Sequence, residues 1–190
     1  MALPRELTTE RLLLRRWLPS DRRPFAQLNA DPRVMEYFPA PLTRDESNRM
    51  VQRIEAQFER HGFGLWALEV PGVVDFAGFV GLLIPSFEAP FTPCVEIGWR
   101  LPFEHWGKGY APEAARAVLR FAFERAGLHE VLSFTATCNT RSRRVMEKIG
   151  MRYDAADEFD HPNLPRGHRL ERHALYRIRA DELEASSARC

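Results

Sequence analysis

The window from Glu96 to Ala115 constrains the fold more than any other part of the chain. Apolar and polar residues alternate through Val95–Leu101, which predicts a strand, and apolar residues then recur at spacings of three and four from Ala115 to Ala126, which predicts a helix. Two glycines, Gly107 and Gly109, separate the two elements. Glycine lets backbone approach a ligand closely, and the free amides at a helix N-terminus attract anions. The window therefore predicts a phosphate-binding turn, to which Lys108 adds a positive charge.

Two common phosphate-binding motifs do not fit this window. A Walker loop needs Ser or Thr after the Gly-Lys pair and a glycine five residues earlier, and the chain has neither around Gly107. The dinucleotide fingerprint needs a third glycine, which does not follow Gly109. A tight turn that merely packs a helix on a strand remains the alternative for this window taken alone.

Two blocks of the chain together resemble the GNAT N-acetyltransferases, over about residues 8 to 179. The family signature Arg/Gln-x-x-Gly-x-Gly/Ala matches Trp106–Ala111, with Trp106 in place of Arg or Gln, a departure habitual in the ribosomal-protein-alanine acetyltransferase branch. The second block, Asn-x-x-Ser before a short helix and a glycine, matches Asn139 and Ser142. The resemblance implies a single domain over residues 1–190 with an α/β GNAT acyl-CoA N-acyltransferase fold. Its single mixed, mostly antiparallel sheet is splayed at the centre and flanked by helices.

The secondary structure expected from the pattern agrees with one continuous α/β unit. We expect a helix capped by Ser20 or Asp21, and close backbone approach at Gly78 and Gly81. The expected strands are 12–17, 65–70, 76–84, 95–101, 131–137, 151–153 and 174–178. The expected helices are 25–29, 45–61, a helix with Pro112 in its first turn that ends before Gly127, and 141–149. The segment from 154 to 173 has no periodicity and is expected to line a site as a long loop.

The resemblance also implies where acetyl-CoA is held. The pantetheine arm would lie between the strand of Glu96 and the strand ending at Thr137, and the turn would hold the pyrophosphate. The residues expected to bind the cosubstrate are Gly98, Trp99, Arg100, Leu101, Trp106, Gly107, Lys108, Gly109, Tyr110, Ala111, Asn139 and Ser142.

Three residues are expected to carry the chemistry: Glu96, Ser142 and Asn139. Acyl transfer to an amine needs a neutral amine, a stabilised oxyanion and a way to discharge the thiolate. Glu96 is the candidate base, with a surface or Arg100-paired glutamate as the alternative. A backbone amide of 98–100 is the expected oxyanion donor.

The leaving thiolate lacks its usual acid. Many family members place a tyrosine seven residues after the Asn, where this chain has Met146. Ser142 could instead donate a hydrogen bond, or could simply satisfy free amides at a helix start. Asn139 would orient the pantetheine or the acceptor, or serve as a turn or cap residue. Met146 is expected to pack in the core with Val145 and Ile149.

Composition narrows the function classes. A formal net charge of +1 gives no electrostatic case for nucleic acid or membrane binding, and no long apolar run suggests a signal peptide or a span, so a cytoplasmic protein is expected. Three scattered cysteines, Cys94, Cys138 and Cys190, are interpreted as buried or terminal thiols. His161, His168 and His173 show no metal-ligand spacing, so no metal is expected.

The expected partners are acetyl-CoA and an amine acceptor, with the protein a monomer or homodimer. The late segment carries four acidic residues, which we expect either to favour a cationic amine or to form a solvated loop: Asp154, Asp157, Glu158 and Asp160. The sequence leaves two functions open. One is an N-acetyltransferase acting on a protein N-terminal amine or a small-molecule amine, and the other is a non-catalytic acyl-CoA-binding regulatory module of GNAT type.

Overall fold

A computed structural model describes residues 3–187 of the chain, with side chains described through residue 183. Over this range the strands are β1 Leu7–Thr8, β2 Leu13–Arg15, β3 Leu65–Glu69, β4 Phe79–Leu83, β5 Glu96–Arg100, β6 Glu130–Ala136, β7 Arg152–Tyr153, β8 Phe159–Asp160 and β9 Arg172–Arg179. The α-helices are α1 Arg22–Ala30, α2 Arg44–His61, α3 Tyr110–Glu124, α4 Thr140–Lys148 and α5 Ala180–Ser187. Short 3₁₀ turns lie at Pro19–Asp21, Phe103–His105 and Ala155–Asp157.

The strands form one mixed sheet whose order is β1-β2-β3-β4-β5-β6-β9-β7, with β8 also paired to β9. Every pairing is antiparallel except that of β5 with β6. The parallel ladder holds only at Glu96 and Leu132, although β5 pairs with β4 along its whole length. The sheet therefore opens between β5 and β6, which confirms the predicted splayed α/β fold.

Helices cover both faces of the sheet. Phe79 of β4 contacts Phe25 of α1, with ring centroids 5.9 Å apart. Trp66 of β3 points to the opposite face, since its neighbour across the ladder is the residue after Phe79, and it contacts Phe121 of α3 at 5.1 Å. Side chains of successive strand residues alternate between faces. The face that carries α1 is therefore distinct from the face that carries α3.

Two glycines let strands approach closely, as predicted. A Cβ added to Gly78 would lie 2.2 Å from the carbonyl oxygen of Arg100, and one added to Gly81 would lie 2.2 Å from that of Gly64. No side chain fits at those separations.

The starts of the first two helices lie near their predicted positions. Helix α2 begins one residue before the predicted Asp45 and is followed by Gly62, whose φ of 74° is left-handed. Asp21, one of the two predicted caps, occupies the N-cap position of α1, but its side chain makes no capping bond. The Asp21 carboxylate instead accepts from the buried Arg15 guanidinium at 2.8 Å, since a buried cation needs a counter-charge.

The late segment is more ordered than predicted. Strand β8 lies within the stretch expected to be a loop, and β9 begins at Arg172 rather than at residue 174. These short pairings could not be read from a period, because two residues show none.

The structure shows how exposed two of the three cysteines are and whether any helix could cross a bilayer. Cys94 is a half-buried free thiol whose pKa burial raises to about 11, and Cys138 is free but exposed rather than buried. Cys190 lies outside the described residues. Within residues 3–187, no helix has the length and apolar character needed to cross a bilayer.

Candidate active site

A cavity of about 640 Å³ lies where β5 and β6 separate. Of the residues predicted to form the site, those that line it are Glu96, Gly98, Trp99, Arg100, Leu101, Trp106, Gly107, Gly109, Tyr110, Ala111, Asn139 and Ser142. Lys108 is exposed and is not among the lining residues, which departs from its predicted place at the ligand. Its carbonyl oxygen, rather than its charge, faces a partner, namely Arg11.

The turn before α3 has the geometry of an anion-binding loop. Gly107 and Gly109 have φ values of 73° and 81°, and Gly109 is the N-cap of α3 without any side-chain capping bond. The amides of Tyr110 and Ala111 lie in the first turn of α3, where backbone N–H groups have no acceptor within the helix. The next residue, Pro112, has no N–H. A negatively charged group is stabilised at such an N-terminus. The residues present therefore fit the pyrophosphate of coenzyme A.

Arg11 supports this turn, and sequence reasoning missed it. Its Nη1 donates to the Lys108 carbonyl at 3.0 Å and its Nε donates to the Glu113 carboxylate at 2.7 Å. Glu113 lies in the first turn of α3, where an unpaired carboxylate would repel an anion. Arg11 neutralises it. The two residues are about a hundred positions apart, so no local pattern could have revealed the pair.

Basic side chains of α4 also line the cavity. Arg144 and Lys148 lie one helical turn apart and both line the cavity. The carbonyl of Lys148 accepts from Arg116 of α3 at 2.5 Å, which places this end of α4 beside α3. Positive charge on this side of the cavity complements the phosphates of coenzyme A. The sequence pattern did not indicate these two residues, because charges on a helix are usually solvated.

Glu96 sits in the cavity wall at the last rung of the parallel ladder. Burial raises its pKa to about 8. Its carboxylate has no hydrogen bond or ion pair among the described residues, so the alternative of a glutamate paired with Arg100 is wrong. Arg100 donates instead to Asn29, at 2.5 Å. A carboxylate with a pKa near neutrality is suited to take a proton from an ammonium group.

The strand register identifies which backbone amide faces the gap. N–H and C=O directions alternate along a strand. Leu82 donates to Gly64 on the side away from β5, so its partner Ile97 points toward β6, where its carbonyl accepts from Ser133 Oγ at 2.9 Å. Trp99, two residues further, points its N–H the same way, beyond the end of the ladder. The predicted oxyanion donor in 98–100 is therefore narrowed to the Trp99 amide.

Asn139 and Ser142 are resolved into different roles. Asn139 is the N-cap of α4, because its Oδ1 accepts from the Ser142 N–H at 3.2 Å and its Nδ2 donates to Thr135 Oγ1 at 2.9 Å. The cap reading of Asn139 is thus confirmed, and it lines the cavity as well. The Ser142 hydroxyl makes no hydrogen bond within the described part of the chain. Its alternative, satisfying free amides, is therefore wrong.

Met146 and its neighbours follow the prediction in part. Met146 is fully buried and Ile149 is 3% exposed, so both belong to the core as expected. Val145 is only half-buried and lines the cavity. The reason is helical: successive residues differ by about 100° in direction, so Val145 cannot share the face of Met146.

The acceptor side of the cavity is formed by two segments, of which the sequence singled out only the later one as lining a site. The loop between α1 and α2 contributes Arg33, Val34, Tyr37, Phe38 and Pro39, and the late segment contributes His161, Asn163, Leu164, Leu170 and His173. The expectation that the late segment lines a site is confirmed for 161–173.

The prediction of a negative potential on the acceptor side of the cavity is wrong. None of the four acidic residues lines the cavity. Asp157 pairs with Arg177 at 2.9 Å, and Glu158 and Asp160 pair with Arg172 at 3.1 and 3.2 Å. These carboxylates pair with arginines of the adjacent β9 and do not face the cavity.

Two histidines of the late segment line the cavity in neutral form. The rings of His161 and His173 lie 4.9 Å apart, and burial lowers both pKa values, that of His173 to about 4. His168 does not line the cavity. Across residues 3–183, no group of three or more His, Cys, Asp or Glu side chains is placed to hold a metal ion.

Two buried polar atoms in the described chain lack any partner, and both belong to cavity residues. They are Nε of Arg100 and Nδ1 of His105. Buried polar groups are almost always hydrogen-bonded in folded proteins. The cavity wall therefore carries polar groups that the protein itself leaves unsatisfied.

The splayed sheet, the anion-binding turn and the buried carboxylate define an acyltransferase that uses coenzyme A. The family model for the acetyltransferase (GNAT) domain matches residues 11–152, and the chain belongs to that family. It is an N-acetyltransferase, and the family uses acetyl-CoA as cosubstrate to acetylate an amine.

Individual relatives agree. The chain is 37% identical over 66% of its length to FsC-acetyl coenzyme A-N(2)-transacetylase of Aspergillus fumigatus, although the match spans only 55% of that protein. It is 30% identical to the N-acetyltransferase YnaD of Bacillus subtilis, over 93% of this chain and 98% of the relative. A GNAT-family acetyltransferase structure from Bacillus anthracis superposes with a TM-score of 0.76 at 28% identity, covering 93% of this chain and 99% of that one.

Proposed function

We propose that this protein, as a single domain over 1–190, moves an acetyl group from acetyl-CoA to a primary amine by direct attack in a ternary complex. The acceptor is a protein N-terminal amine or a small-molecule amine. The branch we propose is that of the ribosomal-protein-alanine acetyltransferases, supported by Trp106 in the signature and by the absence of the usual tyrosine at Met146. Placement in the cytoplasm and a monomeric or homodimeric state remain predictions from the sequence.

One observation carries the proposal: an unpaired carboxylate of raised pKa and an unpaired strand amide border the same gap. Glu96 closes the parallel ladder, and the Trp99 N–H lies just beyond it. The turn of Gly107 and Gly109 lies on the same cavity. A base, an oxyanion donor and a cosubstrate cradle therefore share one space.

Each residue has one task in the proposed reaction. Glu96, in its ionised form, accepts a proton from the acceptor ammonium, which frees the nitrogen lone pair to attack the acetyl carbonyl carbon. The Trp99 N–H donates to the carbonyl oxygen as it gains charge. Collapse breaks the carbon–sulfur bond, and the departing thiolate accepts a hydrogen bond from Ser142 or from water. Asn139 holds the start of α4, and with it Ser142, in place.

The competing function is an acyl-CoA-binding module without catalysis. A thiol-release assay with a panel of primary amines separates the two, and calorimetric titration with coenzyme A is run beside it. Turnover with an amine that disappears in Glu96→Gln supports the enzyme. Tight coenzyme A binding without release of thiol for any amine would favour the regulatory module.

A further inference from the structure

The buried guanidinium of Arg100 has no acidic partner in the part of the chain that the structure describes. Arg100 is 8% exposed, makes one hydrogen bond, to the neutral amide oxygen of Asn29, and forms no ion pair among the described residues. Its Nε is buried without a partner. Burial lowers its pKa to about 10, so the group stays charged at neutral pH. A buried charge without a counter-charge is costly, and proteins normally pair it.

The guanidinium lies on the acceptor face of the sheet. Arg100 pairs across the ladder with Phe79, whose ring faces α1, and the ring of Phe38 lies 4.0 Å from the guanidinium carbon. Helix α3, whose start is the pyrophosphate turn, packs on the opposite face through Phe121. Arg100 is thus directed away from the cosubstrate cradle.

The part of the guanidinium left for a ligand can be identified. Nη1 is used by Asn29, and Nε is covered by protein atoms. Nη2 makes no hydrogen bond in the described chain and is not among the buried orphaned atoms, so it reaches accessible space. Because Arg100 lines the cavity, we take the accessible space next to Nη2 to be the cavity.

The rest of the cavity offers no compensating negative charge. Among its described lining residues, Glu96 is the one carboxylate, and it is mostly protonated at pH 7 because burial raises its pKa to about 8. Two other arginines of the acceptor side already have partners: Arg33 pairs with Asp31, and Arg141 pairs with Glu36. Among the described residues, Arg100 is the arginine on the acceptor side of the cavity that has no acidic partner.

We propose that Arg100 binds a carboxylate carried by the acceptor, so that the preferred substrates are amino acids or similar amines bearing a carboxylate rather than polyamines. This inference rests on the proposed acetyl transfer. Glu96 and Arg100 share a strand face four residues apart, about 13 Å between Cα atoms. Both side chains project into the cavity, so the amine and the carboxylate of one acceptor can be held at the same time. The apolar surface between them includes Leu65, Phe79 and Leu83.

The test compares amines that differ only in the carboxylate. ω-Amino acids of three to six carbons are assayed against alkylamines of the same length, and phenylalanine against phenethylamine, with acetyl-CoA as donor. For at least one pair, kcat/KM should be about tenfold or more higher for the carboxylated amine, because a charge-assisted hydrogen bond is stronger than a neutral one. If the ratio of the two kcat/KM values exceeded one for none of the pairs, the proposal would be overturned. The proposal would also be overturned if a carboxylate on the amine had no effect while succinyl-CoA, which carries a carboxylate on its acyl group, was a better donor than acetyl-CoA. That result would place the anion on the acyl group.

Variants separate a binding role from a structural one. Arg100→Met should abolish the preference and Arg100→Lys should retain part of it, since the ratio does not depend on how much protein is folded. Ser47→Ala is the matched control. Ser47 accepts from Asn29 at 3.0 Å and belongs to the same buried network without carrying charge, so its removal should leave the ratio unchanged. A preference that persists in Arg100→Met would assign the carboxylate to another residue.

Direct binding keeps the inference independent of turnover. 3-Phenylpropionate, which has a carboxylate and no amine, is titrated into the coenzyme A-loaded protein against 3-phenylpropionamide. We expect the carboxylate to bind at least tenfold more tightly to the wild-type protein, and equal affinities would refute the role of Arg100 even if no amine is acetylated. Acetylation of both amine series at equal rates would overturn this inference alone. Failure to bind coenzyme A would instead count against the proposed function.

Discussion

At the scale of the residue, environment rather than identity decides what each polar side chain can do. Glu96 and Arg100 lie on one strand face, yet they do not pair, because Arg100 is held by Asn29 and Phe38. Burial raises the pKa of Glu96 to about 8, and Arg100 has no counter-ion among the described residues. Perturbed groups of this kind are typical of functional sites.

Replacement of Glu96 by Gln tests the base. The change keeps the shape and removes the basicity, so kcat should fall by roughly 10²–10⁴ while coenzyme A affinity barely changes. For an acceptor whose amine titrates away from pH 8, wild-type kcat/KM should rise with pH up to about 8 as Glu96 loses its proton, and the variant should lose this rise. An unaltered rate and pH profile in the variant would mean that water deprotonates the amine.

Ser142 and Met146 test how the thiolate leaves. Ser142→Ala should lower turnover by about threefold to tenfold, equivalent to a hydrogen bond of about 0.5–1.5 kcal/mol, because a thiolate needs little assistance. Met146→Leu is the control in the same helix and should leave turnover nearly intact, since the swap conserves volume in the core. Steady-state kinetics on both variants decide the point. A thousandfold loss in Ser142→Ala would instead reveal a true general acid.

At the scale of the element, the turn before α3 owes its shape to backbone conformation more than to space. A Cβ added to Gly107 would meet no atom within 4 Å, so packing does not require glycine there. The φ of 73° does. At Gly109 a Cβ would also come within 3.2 Å of Arg11, at a φ of 81°. A side chain at Gly109 would therefore add a close contact with Arg11 to the backbone strain, which makes Gly107 the cleaner position for a test.

Gly107→Ala should weaken coenzyme A binding by about tenfold or more, because distorting the turn misplaces an amide that donates to a charged phosphate. Calorimetric titration measures it. Gly72→Ala is a matched control: Gly72 has a φ of 74°, its added Cβ also meets nothing within 4 Å, and it lies in the hairpin between β3 and β4, outside the cavity lining. Both variants carry the same backbone strain of about 1–2 kcal/mol. Equal affinities in the two variants would remove the turn from the cosubstrate site.

At the scale of the whole molecule, two titratable side chains of the cavity wall, Glu96 and His173, should shape the pH dependence of folding. The Glu96 pKa of about 8 exceeds its unfolded value of about 4.3, so the folded state holds the extra proton and stability falls as pH rises between those values. The His173 pKa of about 4 is below its unfolded value of about 6.5, so stability is lost as pH falls from 6.5 to 4.

Urea unfolding between pH 4 and 9 should therefore show opposing effects below pH 6.5 and a decline between pH 6.5 and 8. Glu96→Gln should flatten the decline, and His173→Gln should remove the loss on the acid side. A decline of the same slope in Glu96→Gln would show that Glu96 is solvated and ordinary in the folded protein.

Much of the element pattern could be predicted because it follows from local periodicity. The alternation around Ile97, the helical spacing after Ala115 and the glycines that break them determine the strand, the turn and the helix without reference to the rest of the chain. With the resemblance of the two blocks, this pattern predicts the GNAT fold. Most of the residues predicted to bind the cosubstrate, Asn139 and Ser142 among them, line the same cavity.

Only the tertiary structure decided what the acceptor side looks like, because its contacts join residues far apart in the chain. The acidic residues of the late segment pair with arginines of β9, Arg11 reaches Glu113, and Arg100 meets Asn29 across more than seventy positions. No local pattern records such partners. The sequence by itself determined that the protein has a strand, a glycine turn and a helix in that order. The packing of α1, α2 and the late segment determined the charge of the cavity wall that we assign to the acceptor, since burial and counter-charges exist only in the folded chain.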